Sequence, residues 1–221
     1  PETDKDIFKN YSAKKMTGKA TNKRELQKFF GLPEKKDTPV MGMVTRLVSH
    51  KGLDLCKAVL DELLATTDIQ LVVLGSGDYQ YEEFFRGLAA RYPDKVGLCL
   101  GFIPDLARKI YAGADLFLMP SKSEPCGLSQ MVALRYGTIP IVRETGGLND
   151  TVHSYNEFTG EGNGFTFTNY NAHDMLHTIR RALHYYHQKD IRQDLMLAGM
   201  KGDYSWEQSA HRYVELYQSI A

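Results

Sequence analysis

The chain has 221 residues, of which 43% are hydrophobic and 24% are charged. This is the composition of an ordinary globular domain, and it excludes a disordered or fibrous protein. Twenty-seven basic residues balance twenty-seven acidic ones, so the chain lacks the broad positive field that non-specific nucleic-acid binding requires. No apolar run approaches the roughly 20 residues needed to cross a bilayer, so neither nucleic acid nor membrane is an expected partner.

The three cysteines, Cys56, Cys99 and Cys126, lie far apart in the sequence and form no C-x-x-C pair. This spacing is typical of neither a disulfide framework nor a zinc site, and it favours a reducing compartment such as the cytoplasm. The sequence begins at Pro1 without the pattern of a signal peptide. We therefore expect a piece of a longer intracellular protein.

A lead-in segment, residues 1–38, precedes the regular part of the chain and carries one predicted helix, over 22–31. Asn22 is a suitable N-cap for this helix, and Glu25, three residues later, completes the pattern of a capping box. Gly31 is typical of a residue that ends a helix.

Beyond this segment, short apolar runs alternate with stretches of helical periodicity. Each run is too short for most helices and ends at a polar or glycine-containing turn, which is typical of a buried strand. The predicted strands cover 40–47, 69–74, 96–102, 116–119, 139–142 and 165–167, and the helices between them cover 53–64, 81–92, 105–114, 127–136 and a short stretch after Gly147.

Strands that are apolar throughout and separated by helices indicate βαβ units and a parallel sheet covered on both faces. We therefore predict an α/β fold, a Rossmann-like, doubly wound six-stranded parallel sheet with helices on both faces. The alternation is unbroken, which favours one domain over the whole of residues 1–221.

The last part of the chain, residues 171–221, carries only helical patterns. In the last of these helices three aromatic residues, Trp206, Tyr213 and Tyr217, share one face. Such a face needs a covering surface, which is either this domain's own sheet or a second domain. The predicted helices are 171–187, 191–200 and 206–220.

Ligands of open parallel sheets bind beyond the carboxyl ends of the strands, where helices begin and present backbone N–H groups. After the first predicted strand come Arg46 and Lys51, the latter just before a helix. Two permanent cations beside a helix N-terminus form an anion site. The alternative is a pair of solvated loop charges.

A glutamate, Glu124, follows the fourth predicted strand just before a helix. It is a candidate metal ligand, base or hydroxyl-binding group, and the alternative is a surface carboxylate. After the second strand, Gly75-Ser76-Gly77 begins like a dinucleotide fingerprint, but Gln80 occupies the third glycine position. A tight turn is therefore the better interpretation there.

The fifth predicted strand is followed by Thr145-Gly146-Gly147-Leu148, which opens another helix. Two glycines at this point are expected to let a phosphate approach the backbone amides without interference from a Cβ atom. The loop is thus a second candidate for phosphate binding.

Five short motifs occur in order along the chain: T-R-L at 45–47, H-K-G at 50–52, P-S at 120–121, E-P-C-G-L at 124–128 and T-G-G-L-N-D-T-V at 145–152. Together they resemble the C-terminal half of bacterial glycogen synthases and plant starch synthases. These are retaining glycosyltransferases built from two Rossmann-like domains, the GT-B architecture. The resemblance covers essentially the whole chain.

The resemblance implies a role for each matching residue. Arg46 and Lys51 match the pair that grips the diphosphate and stabilises the departing nucleotide, and Glu124 matches the carboxylate that contacts the donor glucose. These three are the expected catalytic residues. The expected substrate-binding residues are Gly101 and Phe102 at the adenine ring, Cys126, Gly127 and Leu128 in a turn whose amides meet glucose and phosphate, Ser129 at the nucleotide, and Thr145, Gly146, Gly147 and Leu148 near the phosphates.

Two departures refine this resemblance. Broader transferases of this architecture often carry a second glutamate eight positions after the first, and here that position is Val132. This favours the glycogen and starch synthase branch. The family's N-terminal domain, which binds the acceptor, has no counterpart in the sequence.

The resemblance therefore implies transfer of glucose from ADP-glucose to the non-reducing end of an α-1,4-glucan, with retention of configuration. The expected ligands are ADP and ADP-glucose, with the glucan acceptor held by the N-terminal domain, and no metal or other cofactor is expected. The expected location is the cytoplasm of a bacterium, or the plastid if the source is a plant. The alternatives are a non-catalytic nucleotide-binding or scaffolding domain, and another sugar-nucleotide transferase of the same architecture.

Overall fold

A computed structural model describes residues 1–220, which contain one six-stranded sheet. Its strands are β1 (Val40–Val44), β2 (Gln70–Gly75), β3 (Val96–Leu100), β4 (Leu116–Met119), β5 (Ile139–Arg143) and β6 (Phe165–Phe167). They lie in the order β3-β2-β1-β4-β5-β6, and every neighbouring pair is parallel. The predicted Rossmann-like, doubly wound parallel sheet is confirmed.

Helices precede, connect and follow these strands. They are α1 (Thr17–Phe29), α2 (Leu53–Thr66), α3 (Tyr79–Arg91), α4 (Pro104–Gly113), α5 (Ser129–Arg135), α6 (Gly147–Thr151), α7 (Ala172–Tyr186), α8 (Lys189–Lys201) and α9 (Trp206–Ile220). The predicted all-helical region 171–221 is confirmed as far as Ile220, and Ala221 lies outside the described residues. Among residues 1–220, the helices lack the length and hydrophobicity that crossing a membrane requires.

Successive residues of the central strands face cores on opposite sides of the sheet. On β1, Met41 and Met43 pack into a core shared with α2, α3 and α7, whereas Val40 packs into a second core with α1 and α4. Gly42 faces this second core, where an added Cβ would lie 2.8 Å from Cγ2 of Ile110. Because both faces are covered, the strands are apolar throughout, which is why short continuous runs identified them.

The first helix differs from its prediction. It begins at Thr17 and ends at Phe29, so Asn22 lies inside α1 and is fully buried. The Asn22 amide donates to the carbonyl oxygen of Lys9 at 2.6 Å, and its Oδ1 accepts from the Phe8 N–H at 3.0 Å. The predicted capping box is therefore wrong, because Asn22 binds the preceding segment, which folds back over the helix.

Two lysines of α1 also enter the interior. Lys23 pairs with Asp115 at 2.8 Å, whereas Lys19 has no carboxylate within ion-pair distance among residues 1–220. The Lys19 Nζ donates instead to Oγ1 of Thr138 at 2.5 Å and to the carbonyl oxygen of Tyr111 at 3.2 Å. Burial lowers the pKa of Lys19 to about 7. The lead-in helix is thus attached to α4 and to the residues just before β4 and β5 by polar contacts as well as apolar ones.

The last helix makes little contact with the rest of the domain. Every residue of α9 is exposed, and the exposed fraction of Trp206 is 91%. Of the two alternatives for its aromatic face, coverage of this domain's own sheet is excluded.

Candidate functional site

The loops at the carboxyl edge of the sheet are joined by backbone contacts. After β2, the Ser76 carbonyl accepts from the Leu47 N–H at 2.9 Å, and the Asp78 N–H donates to the Leu47 carbonyl at 2.7 Å. A Cβ atom on Gly75 would lie 1.9 Å from the Thr45 carbonyl oxygen. Gly75 is the last residue of β2, and Gly77 forms a parallel bridge with Leu47, so this segment continues extended and the predicted tight turn is wrong. Its glycines instead allow the backbone after β1 to pass alongside.

A second contact joins the loop after β1 to the loop after β4. The Lys122 N–H donates to the His50 carbonyl at 2.9 Å. Gly52 has a φ of 75°, and a Cβ atom there would lie 1.9 Å from the Pro120 carbonyl oxygen. This close approach requires glycine and brings the side chains of Lys51 and Glu124 together.

Lys51 and Glu124 form a largely buried ion pair. The Lys51 Nζ lies 2.6 Å from Oε2 of Glu124, and the exposed fractions of the two side chains are 16% and 10%. Ser121 donates its hydroxyl to the same carboxylate oxygen at 3.0 Å. The alternative interpretations, a solvated loop lysine and a surface carboxylate, are excluded for these two residues.

Arg46 lies nearby but is exposed, and none of its contacts within residues 1–220 is an ion pair with a carboxylate. Its guanidinium lies 3.5 Å from Nε2 of His50. An exposed cation without an acidic partner is available to an anion, and Lys51 of the buried pair belongs to the same loop after β1. The two predicted cations thus occupy different electrostatic settings.

A cleft of about 680 Å³ opens beside these loops, between the ends of β1–β3 and the helices α4 and α5. Four of the predicted site residues line it, namely Arg46, Gly101, Phe102 and Ser129. The Phe102 ring is 89% exposed, so one face is open to a planar partner. The cleft has the size of a small-molecule site.

The other wall of this cleft is formed by residues that no sequence motif indicated. Arg108 and Tyr111 of α4 line it as well. Arg108 is held by two carboxylates of the lead-in segment, Asp4 at 3.3 Å and Asp6 at 2.6 Å. No sequence motif marks α4, whose residues reach the cleft because the helix packs on β1 and β2.

The two glycine-containing loops pack directly on each other. A Cβ atom added to Gly146 would lie 2.2 Å from the carbonyl oxygen of Glu124. A Cβ atom added to Gly147 would lie 2.0 Å from the carbonyl oxygen of Cys126. The Gly147 N–H already donates to the carbonyls of Glu124 and Pro125, at 3.2 Å each. The predicted reason for these glycines is therefore wrong, since backbone carbonyls fill the space that was expected to receive a phosphate.

The remaining predicted residues surround this junction without lining the cleft. Thr145 is half-buried, and Leu148 is fully buried in a core with α4 and α5, so its side chain does not reach a ligand. Cys126 is an exposed free thiol, and Gly127 adopts a left-handed conformation with φ of 73°. Leu128 lines a separate cavity of about 710 Å³ between α5 and residues 201–205.

A buried glutamine that the sequence did not reveal joins both loops to their helices. The Gln130 amide donates to the carbonyls of Cys126 at 3.1 Å and Gly127 at 2.9 Å, and to Oγ1 of Thr151 at 3.2 Å. Thr151 in turn donates to the Gly147 carbonyl at 2.6 Å. A single glutamine in a helix carries no recognisable signal, so only the structure assigns Gln130 this position.

Hydrogen bonds from threonines of the edge strand β6 and the residues after it anchor the start of the loop that follows β5. The hydroxyls of Thr166 and Thr168 each donate to the Glu144 carboxylate at 2.6 Å. These hydrogen bonds lower the pKa of Glu144 below its ordinary value. Glu144 is therefore a fixed anchor for the loop that begins at Thr145.

A doubly wound parallel sheet with a cleft and cationic side chains beyond its strand ends is the arrangement of a nucleotide-binding protein. The family model described as glycosyl transferases group 1 matches residues 24–195. The chain belongs to this family, and its predicted resemblance to glycosyltransferases is confirmed.

Curated relatives extend this result over the full chain. A glycogen synthase of Bacillus cereus (strain B4264) is 60% identical over 220 residues, which is 100% of this chain and 46% of the relative. A glycogen synthase of Geobacillus stearothermophilus is 59% identical over 220 residues, again 100% of this chain and 45% of the relative. The chain thus spans about half the length of the curated relatives that it matches.

Solved structures of glycosyltransferases have the same fold as this chain. The catalytic domain of starch synthase IV from Arabidopsis thaliana, bound to ADP and acarbose, superposes with a TM-score of 0.90 and 37% identity, covering 99% of this chain and 46% of that one. Sucrose-phosphate synthase from Thermosynechococcus elongatus shares the fold at a TM-score of 0.64 and 23% identity, covering 89% of this chain and 48% of that one. The predicted resemblance to glycogen and starch synthases is confirmed.

Proposed function

We propose that this chain is the donor-binding part of a glucosyltransferase that elongates an α-1,4-glucan from ADP-glucose, with retention of configuration. The observation that carries the proposal is the buried Lys51–Glu124 pair beside the cleft. It occurs in a chain that is 60% identical to a glycogen synthase along its whole length. A nucleotide-binding scaffold would have no need for a buried carboxylate next to its phosphate-binding cation.

The diphosphate is bound by Arg46 and Lys51. Transfer of a glycosyl group develops negative charge on the departing diphosphate, and preorganised cations stabilise that charge in the transition state. Arg46 is exposed at the cleft and Lys51 follows five residues later in the same loop, so the two approach the diphosphate from neighbouring positions. Because protein cations neutralise the diphosphate, the scheme requires no metal ion or other cofactor.

The sugar of the donor lies beside Glu124. One oxygen of this carboxylate accepts a hydrogen bond from the Lys51 ammonium. A ligand that contacts both residues therefore has its phosphate next to the lysine and its sugar hydroxyls next to the glutamate. The turn at Cys126 and Gly127 adjoins the same position and supplies backbone amides. From the loop after β5, only the backbone of Thr145 and the exposed Gly146 is proposed to approach the phosphates, because carbonyls of the Glu124–Cys126 loop fill the space beside the two glycines.

The adenosine part of the nucleotide occupies the cleft. The open face of Phe102 stacks on the base, Gly101 leaves space beside it, and Ser129 contacts the nucleotide from the start of α5. Base-on-ring stacking is worth about 1–3 kcal/mol and tolerates any base. The preference for adenine over uracil therefore rests on the similarity to starch synthase, whose structure holds ADP.

The glucan acceptor is bound jointly with a further domain, because this chain spans about half the length of its relatives. The relatives with 58–60% identity are bacterial, which supports a cytoplasmic enzyme. On this proposal the chain binds the donor and does not elongate glucan by itself.

Isothermal titration calorimetry with ADP, ADP-glucose, UDP and UDP-glucose tests the proposal. We expect binding of ADP and ADP-glucose, with weaker binding of the uridine nucleotides. Preferential binding of UDP-glucose would favour another sugar-nucleotide transferase. Binding of ADP without any contribution from glucose would favour a non-catalytic nucleotide-binding domain.

A further inference from the structure

A buried serine lies directly behind the proposed sugar-binding carboxylate. Ser121 follows β4 and has an exposed fraction of 1%. Its hydroxyl donates to Oε2 of Glu124 at 3.0 Å, and within residues 1–220 this is the only side-chain hydrogen bond that Ser121 makes. A hydroxyl that is buried this deeply and has one charged acceptor donates its hydrogen bond to that acceptor.

The two oxygens of the Glu124 carboxylate have different surroundings. Oε2 accepts from both Ser121 and the Lys51 ammonium, at 3.0 Å and 2.6 Å. Oε1 accepts no hydrogen bond from residues 1–220, and it is not among their fully buried side-chain atoms that lack a partner. One oxygen is thus anchored from two directions, and the other is open to a ligand hydroxyl.

We propose that Ser121 is a positioning residue that holds the Glu124 carboxylate in the orientation that binds the donor sugar. This inference rests on the proposed function. Lysine alone does not fix a carboxylate, because its ammonium is a mobile point charge on a flexible stem. The short serine side chain, held on the backbone beside Pro120, fixes the second direction. With both donors on Oε2, Oε1 keeps a constant direction toward the sugar.

The position of Ser121 is itself determined by the neighbouring loop. The Lys122 N–H donates to the His50 carbonyl, and the Pro120 carbonyl packs against Gly52. These backbone contacts on both sides leave Ser121 little freedom to move. A change that removes only its hydroxyl should therefore alter the carboxylate rather than the loop.

The test compares ADP and ADP-glucose binding by calorimetry in the wild-type chain and in Ser121→Ala. We expect the ADP affinity to stay within about twofold and the preference for ADP-glucose over ADP to fall about three- to tenfold, the range of one hydrogen bond. Ser123→Ala is the matched control, because Ser123 is exposed two residues away. This control should behave like the wild type.

A double-mutant cycle with Glu124→Ala separates positioning from a structural role. If Ser121 acts through Glu124, Ser121→Ala has no further effect on the ADP-glucose preference once Glu124 is alanine. An unchanged preference in Ser121→Ala, or equal losses of ADP and ADP-glucose affinity, would overturn the inference. So would a further loss of preference in the Glu124→Ala background. Should Ser121→Ala fail to fold, Ser121→Cys gives the same comparison with a weak donor of similar size.

The outcome also separates this inference from the function on which it rests. A wild-type chain that gains nothing from the glucose moiety refutes the sugar site itself, before any variant is considered. A wild-type preference for ADP-glucose that Ser121→Ala retains refutes only the positioning role.

Discussion

The buried lysine of the lead-in helix predicts an unusual dependence of stability on pH. Lys19 of α1 has an exposed fraction of only 6% and is bound to Tyr111 of α4 and to Thr138, just before β5. Desolvation lowers its pKa from 10.5 to about 7; of the smaller effects, the Asp115 carboxylate raises the pKa and the Lys23 ammonium lowers it. In the unfolded chain the pKa returns to its ordinary value. Between about pH 7 and pH 10.5 the unfolded state therefore binds more protons, and stability rises with pH.

The size of this effect follows from the two pKa values. One pKa unit corresponds to about 1.4 kcal/mol, and the linkage relation gives a gain of about 2 kcal/mol between pH 7 and pH 9 from Lys19 alone. Above pH 9 the buried Cys56 thiol, whose pKa is raised by desolvation, acts in the opposite direction. The window from pH 7 to pH 9 is therefore the informative one.

The assay is urea unfolding of the wild type and of Lys19→Met at pH 7, 8 and 9. Methionine keeps much of the volume and removes the titrating group, so the wild type should approach or pass the variant as the pH rises. We expect the difference between their free energies of unfolding to change by about 2 kcal/mol over this range. Lys14→Met, at an exposed position in the same segment, serves as the control. Parallel pH profiles for the wild type and Lys19→Met would refute the reasoning.

Four further predictions concern the site and the last helix. Arg46→Ala should weaken ADP binding about tenfold or more, which corresponds to the loss of one charge-assisted hydrogen bond, with little loss of stability. Arg86→Ala on α3 is the control. An unchanged dissociation constant for ADP at low salt would remove Arg46 from the site. Glu124→Ala should lower turnover of the full-length enzyme while ADP affinity survives, and equal loss of both would assign the residue elsewhere. Gln130→Met leaves the carbonyls of the Cys126–Gly127 turn without their hydrogen-bond donor, so the free energy of unfolding in urea should fall by about 1–3 kcal/mol. An unchanged urea midpoint would show that the turn is stable without the Gln130 amide. The isolated chain should transfer no labelled glucose from ADP-glucose to glycogen and should self-associate through the exposed aromatic face of α9 in sedimentation experiments. Turnover comparable to that of the full-length enzyme would show that the chain is more than its donor side.

The apolar pattern was sufficient to predict the sheet. The strands at 116–119 and 165–167 agree with β4 and β6 residue for residue. In β4 every residue is apolar because the strand is buried on both faces, whereas in β6 the two buried phenylalanines flank the half-buried Thr166. The first strand was predicted to reach residue 47 but ends at Val44. Leu47 is fully buried all the same, since it packs in the loop that passes beside Gly77. An apolar run therefore predicts which residues are buried, and the buried residues extend beyond those that form the hydrogen-bonded strand.

Local capping rules failed where distant chain segments compete for the same side chain. Asn22 and Glu25 fit a capping box by spacing, yet the helix starts five residues earlier than predicted. The Asn22 amide forms better-protected hydrogen bonds with Phe8 and Lys9 in the interior than a solvent-exposed cap would provide. The lead-in segment that supplies these partners has no periodicity from which its path can be predicted.

The sequence by itself determined which residues lie at the carboxyl edge of the sheet, because alternating strands and helices indicate parallel strands and the motifs follow the strand ends. Only the tertiary structure decided how they are used. Lys51 and Glu124 are separated by 73 positions, and they meet because Gly52 lets one loop pass against Pro120. Gly146 is glycine because a carbonyl of another loop fills the space beside it. Such contacts depend on backbone paths of loops from different strands, which no pattern within either loop encodes.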